Sequence, residues 1–290
     1  MKRAYVDYNP RQATRKLIAT CNSIIAEYDG QPMTLRQLHY QLVSRGVQPN
    51  TQRAYKRLSS HLSKARMGGL VDWDAIIDRL RVVRARPHFD SPADAVQEVA
   101  RQYAIDTWAD QPYRVEVWIE KDALIGVLED FCEQHDVPLF AARGNGSTTC
   151  LQEAAELRIK AREARGQRTV IALMTDHDPT GLCIGEAARD ALEAMGARPI
   201  VCRVALTREQ AEARGVPPIP TKKKDSRSPA YIAQHGDRCW ELDCLSPLEL
   251  QGEVLAVIER YREDERWLAA LGREQEQREQ LARIAAGVQS

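Results

Sequence analysis

The chain has no run of about 18 apolar residues, which excludes a helical membrane span. It has no CxxC pair. Its seven cysteines (21, 132, 150, 183, 202, 239 and 244) form an odd, scattered set, against both a disulfide framework and a four-cysteine zinc site. His235 with Cys239 and Cys244 has the wrong spacing for zinc, so free thiols are expected there. No GxxxxGK[ST] sequence occurs, so no P-loop is expected, and RGNGSTT (143–149) is only a Gly-bearing loop. The opening MKRAYVDYNPRQATRK lacks an apolar stretch behind its basic residues, so no secretory signal is expected and a reducing cytoplasm is the expected setting. What is present, 43% apolar and 28% charged residues over 290 positions, is too apolar for a disordered chain and long enough for two domains.

A formal net charge of zero conceals an asymmetry. Residues 1–70 hold 12 Lys+Arg against Asp7, Glu27 and Asp29, whereas the remainder holds 29 basic and 38 acidic residues. A basic lobe joined to an acidic one suggests that the first faces a polyanion, with nucleic acid the default. The competing reading is a basic lobe that docks on the acidic one.

In the basic lobe, Leu17, Ile18, Cys21, Ile24, Ile25 and Tyr28 recur at helical spacing and predict a helix over 11–28. Thr34 is placed to cap a helix over 35–45, and Thr51 a third over 51–67. The third turns Tyr55, Leu58, Leu62 and Ala65 inward and Arg53, Lys56, Arg57, Lys64 and Arg66 outward. With LVDWDAI as a short extended segment, this is the order of a winged helix-turn-helix, and those five basic residues are the expected contacts to double-stranded DNA. Residues 81–113 read as a connection with a helix over 92–107. From Tyr113 strands (115–119, 137–142, 169–175, 199–206) alternate with helices (121–135, 148–165, 181–195), predicting a parallel sheet covered on both faces. A Pro-rich loop over 214–230 and helices from 247 follow. The expected class is α/β plus α: a winged-helix domain over 1–86, a linker helix over 87–112, an α/β domain over 113–246 and C-terminal helices over 247–290.

Ligands of parallel sheets bind beyond the carboxyl ends of the strands. The first strand ends at Glu120 and the third at Asp176, with Asp178 two residues on. Three carboxylates on one rim repel one another unless a cation intervenes, and hard oxygen donors suit Mg²⁺, with Mn²⁺ as a substitute. Lys222–Lys224 and Arg227 are candidate phosphate grips, whereas Glu241 and Asp243, alternating beside Trp240, read as exposed strand residues.

VEVWIEKDALIGVLEDF and LMTDHDPTGLCIGEAARDAL resemble the two halves of a Toprim domain, in the form found in the A subunit of topoisomerase VI and its meiotic double-strand-break relatives. TLRQLHY (34–40) is similar to that family's catalytic-tyrosine segment, so the likeness spans roughly residues 30–205. His39 replaces the first of the usual two tyrosines, Tyr40 stands at the nucleophile's place, and Arg36 matches the motif's arginine. The resemblance implies Glu120 as general acid or base, Mg²⁺ held by Glu120, Asp176 and Asp178, a homodimer, a separate ATPase partner and a nucleoid-associated location. Tyr55 is a second candidate nucleophile, and cleavage by metal-assisted hydrolysis without tyrosine is the other route. Two further readings are a non-catalytic DNA-binding regulator or assembly subunit, and a haloacid-dehalogenase-type phosphatase built on DHDPT (176–180).

Overall fold

Threonine caps and a 3–4 apolar spacing build the N-terminal lobe. The computed structural model describes residues 2–28, 31–77, 86, 88–142, 148–222 and 225–288, the side chain of residue 288 excepted. Helix α1 (Gln12–Ala26), α2 (Leu35–Ser44) and α3 (Gln52–Met67) surround Ile18, Cys21, Ile24, Leu38, Leu58 and Leu62. The Thr34 hydroxyl accepts from the Gln37 amide, and the Gln37 side chain accepts in return from the Thr34 N–H, a reciprocal cap that fixes where α2 begins. Thr51 starts α3 the same way by accepting from the Ala54 N–H. Beside these helices lie two isolated bridges, Ala4 to Gly68 and Met33 to Ile76. Residues 78–85, 87 and 143–147, which include part of the expected connection and of the Gly-bearing loop, lie outside the described residues.

Helix α4 (Pro92–Gln102) stops short of the expected 107. The sheet then follows in the order β2-β1-β3-β4, all parallel, from β1 (Tyr113–Ile119), β2 (Leu139–Ala141), β3 (Arg168–Met174) and β4 (Ile200–Ala205). Between them run α5 (Ile125–Gln134), entered through a 3-10 turn, α6 (Thr148–Glu153), α7 (Lys160–Glu163) and α8 (Pro179–Ala194). The helix expected over 148–165 is interrupted by a π-helical segment, Ala154–Ile159.

Alternation along β1 and β3 explains both cores. Val115, Val117, Ile119, Val170, Ala172 and Met174 face one side, against α5 and the later α11 (Pro247–Tyr261); Trp118, Ile171 and Leu173 face the other, against the π segment and α8. Glu116 breaks the apolar pattern on the second face. It is fully buried and accepts from Arg162 at 2.6 Å, Arg158 at 3.1 Å and the Trp118 indole at 3.0 Å, so its charge is paired.

The expected Pro-rich loop is flanked by two short helices, α9 (Arg208–Ala213) and α10 (Ser228–His235). Residues 239–245 depart from expectation. Cys239 and Trp240 make isolated antiparallel bridges to Ile219 and His177, and Leu242–Cys244 turns as a 3-10 helix that buries Asp243. After α11, α12 (Asp264–Val288) packs against α4.

Candidate active site at the ends of β1 and β3

The strand order creates the site. From β1 the chain moves outward to β2, then crosses to β3 on the other flank of β1, so the connections diverge between β1 and β3. At such a switch point the loops part and leave a crevice at the carboxyl ends. Glu120 and Asp176 are the residues delivered there. The Glu120 N–H donates to the Met174 carbonyl at 2.9 Å, extending the ladder by one step, and the Glu120 carboxylate accepts from the Asp176 N–H at 2.9 Å. Asp178 follows as the N-cap of α8, accepting from the Thr180 and Gly181 N–H groups at 2.9 and 2.7 Å. Gly181 makes this turn possible, because a Cβ there would stand 2.1 Å from the Asp176 carbonyl oxygen. The sequence-predicted acids are thus brought to one rim.

Asp176 is turned toward Lys121. Its Oδ1 accepts from the Leu242 N–H at 2.7 Å and lies 3.0 Å from the Lys121 Nζ. That ammonium also reaches Asp243 Oδ2 at 2.6 Å and Glu241 Oε2 at 3.2 Å, and Arg36 of α2 pairs with the same Glu241 oxygen. Burial alone would favour a neutral amine, but Asp243, Asp176 and Glu241 outweigh it and hold Lys121 charged, well above the ordinary lysine range. Burial raises Asp176 to about 7, with Lys121 opposing and Glu120 adding to the rise. Burial also raises Glu120; the Asp176 N–H opposes that shift and the Asp178 charge reinforces it. Glu241 goes the other way: burial is overcome by Lys121 and Arg36. Arg203 closes the back of the rim, donating to the Thr175 hydroxyl at 3.1 Å and the Asp176 carbonyl at 3.2 Å.

Glu120, Lys121, Asp176, Glu241 and Asp243 line a cleft of about 1040 Å³ between the lobes, to which the N-terminal lobe contributes Arg36, Tyr55 and Arg66. Tyr40 does not line it. Its side chain is buried in the core on the α11 side of the sheet, and burial, with Glu241 and Asp243 near, pushes its phenol above the usual range against the pull of Lys121 and Arg36. Tyr55 is the tyrosine at the cleft, with the Arg36 guanidinium carbon 5.3 Å from its ring centre. The His39 ring stands between the two, 5.7 Å from Tyr40 and 5.5 Å from Tyr55.

Arg53, Lys56, Arg57 and Lys64 are exposed on α3, as expected. Arg66 is not fully outward: it donates to the Trp73 carbonyl at 2.6 Å and covers that indole. Lys222 lines the cleft, Lys223 and Lys224 lie outside the described residues, and Arg227 is tied to Asp225 at 2.9 Å. Glu241 and Asp243, read from sequence as exposed, are ion-pair partners instead, Glu241 half-buried and Asp243 buried by the 3-10 turn. Lys121 and Arg203 carried no sequence signal beyond their neighbours, the Glu-Lys pair after β1 and the strand end of β4.

Among the described residues, no three His, Cys, Asp or Glu side chains stand ready as a ligand set. The donor chemistry nevertheless fits a hard divalent cation, since Glu120 and Asp176 set two oxygen-donor carboxyl groups side by side at the ends of β1 and β3. No described helix is long and apolar enough to cross a membrane. Comparison of the chain with family models, curated proteins and solved structures found no match.

Proposed function

We propose that this chain cleaves DNA strands in a divalent-metal-dependent reaction, with a winged-helix-like basic lobe presenting duplex DNA to a Toprim-like rim. The observation that supports this best is the pairing of Glu120 with Asp176 at the switch point, in a cleft whose other wall belongs to the basic lobe. Glu120, Asp176 and Asp178 would hold the cation, which when bound supplies charge neutralisation at the scissile phosphate. Arg36 and Lys121 orient the phosphate. Glu120, raised by burial, carries the proton for the leaving deoxyribose oxygen. In transesterification a tyrosine oxygen, its proton passing to solvent, bonds to phosphorus as the bond from phosphorus to the deoxyribose oxygen breaks; in hydrolysis a water does the same. Tyr55 lines the cleft and would serve the first route, whereas Tyr40, the position implied by the family likeness, would have to leave its buried pocket to serve either its own rim or a partner protomer's. The homodimer, the ATPase partner and the nucleoid setting belong to this proposal.

Supercoiled plasmid incubated with the protein and Mg²⁺ or Mn²⁺ tests it. Nicked or linear product is expected, lost in Glu120→Gln and Asp176→Asn and on addition of EDTA. Comparing Tyr40→Phe with Tyr55→Phe after a denaturant quench identifies any protein–DNA adduct and its residue. One observation favours the non-catalytic DNA-binding regulator: the Lys121 ammonium already pairs with Asp176 at 3.0 Å. DNA binding without nicking under any condition selects that reading.

A further inference from the structure

The N-terminal arm carries a feature that the proposed cleavage chemistry does not use. Arg3, Tyr5, Trp73 and Arg66 form a ladder of alternating cations and rings. The Arg3 guanidinium carbon lies 5.3 Å from the Tyr5 ring centre, the Tyr5 and Trp73 rings meet edge to face at 5.6 Å and 87°, and Arg66 lies 4.6 Å from the Trp73 centre. Tyr5 is 57% exposed, so docking the arm does not bury it. Backbone contacts hold it there instead. The Tyr5 N–H donates to the Met67 carbonyl at 2.7 Å, and the Trp73 indole donates to the Arg3 carbonyl at 3.1 Å. Gly68 and Gly69 admit the arm: added Cβ atoms there would meet Tyr8 at 2.5 Å and Ala4 at 2.9 Å.

We infer that this ladder is a stacking site for unpaired bases of a DNA strand that continues into the cleft, an inference that rests on the DNA reading above. Exposed aromatic faces flanked by guanidinium groups accept any base, since every base offers a π face. Arg66 links the two places, because it covers Trp73 and also lines the cleft that holds Glu120. Burial lowers the Arg66 guanidinium from its ordinary value against Asp74 and Asp72, and the exposed Tyr5 ring is the ladder's open stacking face. The substrate so defined is DNA with a single-stranded segment next to the cleavage point, such as a gap, flap or melted duplex.

Fluorescence anisotropy of the full chain with labelled oligo(dT) and with a blunt duplex of equal length tests this. Tyr5→Ala should weaken oligo(dT) binding roughly 5- to 100-fold and duplex binding by less than about twofold, with Tyr5→Trp restoring the first. Among the described residues the Tyr5 ring meets Trp73 and the Arg3 guanidinium, and matching circular dichroism spectra confirm that the variant is folded. Unchanged oligo(dT) affinity in Tyr5→Ala, or an equal loss on both ligands, overturns the stacking site. Wild-type protein that binds and nicks duplex but ignores oligo(dT) overturns it while leaving the cleavage reading intact; wild-type protein that binds neither DNA overturns both.

Discussion

At the scale of single residues, Lys121 decides the electrostatics of the rim. Its ammonium is enclosed by Asp176, Glu241 and Asp243, and removing one partner of a buried ionic cluster leaves the others uncompensated. Lys121→Met should therefore lower unfolding stability by about 3–5 kcal/mol in urea titrations. Added Mg²⁺ should recover more stability in that variant than it adds to wild type, because the freed carboxylates then depend on the cation. His39 gives a pH dependence. Burial, helped by the Arg36 charge, holds it below its ordinary value, so the folded chain takes up that proton later than the unfolded chain as the pH falls. The stability linked to a neutral His39 is whole above the unfolded value near 6.5 and is lost as pH drops through that value toward the folded one. Urea midpoints at pH 7.5 and 5.5 should differ less in His39→Gln than in wild type. The acids themselves were legible in the sequence because they end apolar strands. Lys121 was not, because its partner Asp243 lies 122 residues away and spacing carries no record of such a pairing.

Among the elements, the turn from β3 into α8 is the most constrained. Gly181→Ala places a methyl group against the Asp176 backbone and should cost both stability and metal-dependent nicking, whereas Asp178→Ala removes a cap of about 1 kcal/mol. A larger drop in melting temperature for Gly181→Ala than for Asp178→Ala is the expected order. Periodicity and threonine caps located α2 and α3 within a residue or two, and near-continuous apolar runs located β1 and β3. They failed where long-range contacts set the local form. The π segment appears beside the buried Glu116, which takes Arg158 from it and Arg162 from α7. The Glu-Leu-Asp alternation that reads as a strand coils instead because Leu242 donates its N–H to Asp176. That Tyr40 on α2 packs into the sheet's core was not legible.

Across the whole molecule, the lobes meet through Arg36 on Glu241, Gln37 Nε2 on the Leu245 carbonyl at 3.2 Å, and Tyr40 in the sheet's core. The exposed basic face of α3 lies outside this contact. If it grips duplex phosphates, affinity falls with salt, and each of Arg53→Ala, Lys56→Ala, Arg57→Ala and Lys64→Ala should reduce the log–log salt slope by about one unit. An unchanged slope in all four would move the DNA surface elsewhere. Charge asymmetry along the chain foretold a basic lobe; only the fold shows that one wall of the cleft belongs to it.

Electron paramagnetic resonance of Mn²⁺ titrated into the full chain measures cation binding at the paired carboxylates without recourse to turnover. Wild type should take up one ion per chain that Mg²⁺ displaces, and Glu120→Gln and Asp176→Asn should each abolish that uptake. Retention of the ion by both variants, or no uptake by wild type, would contradict a metal centre shared by the ends of β1 and β3.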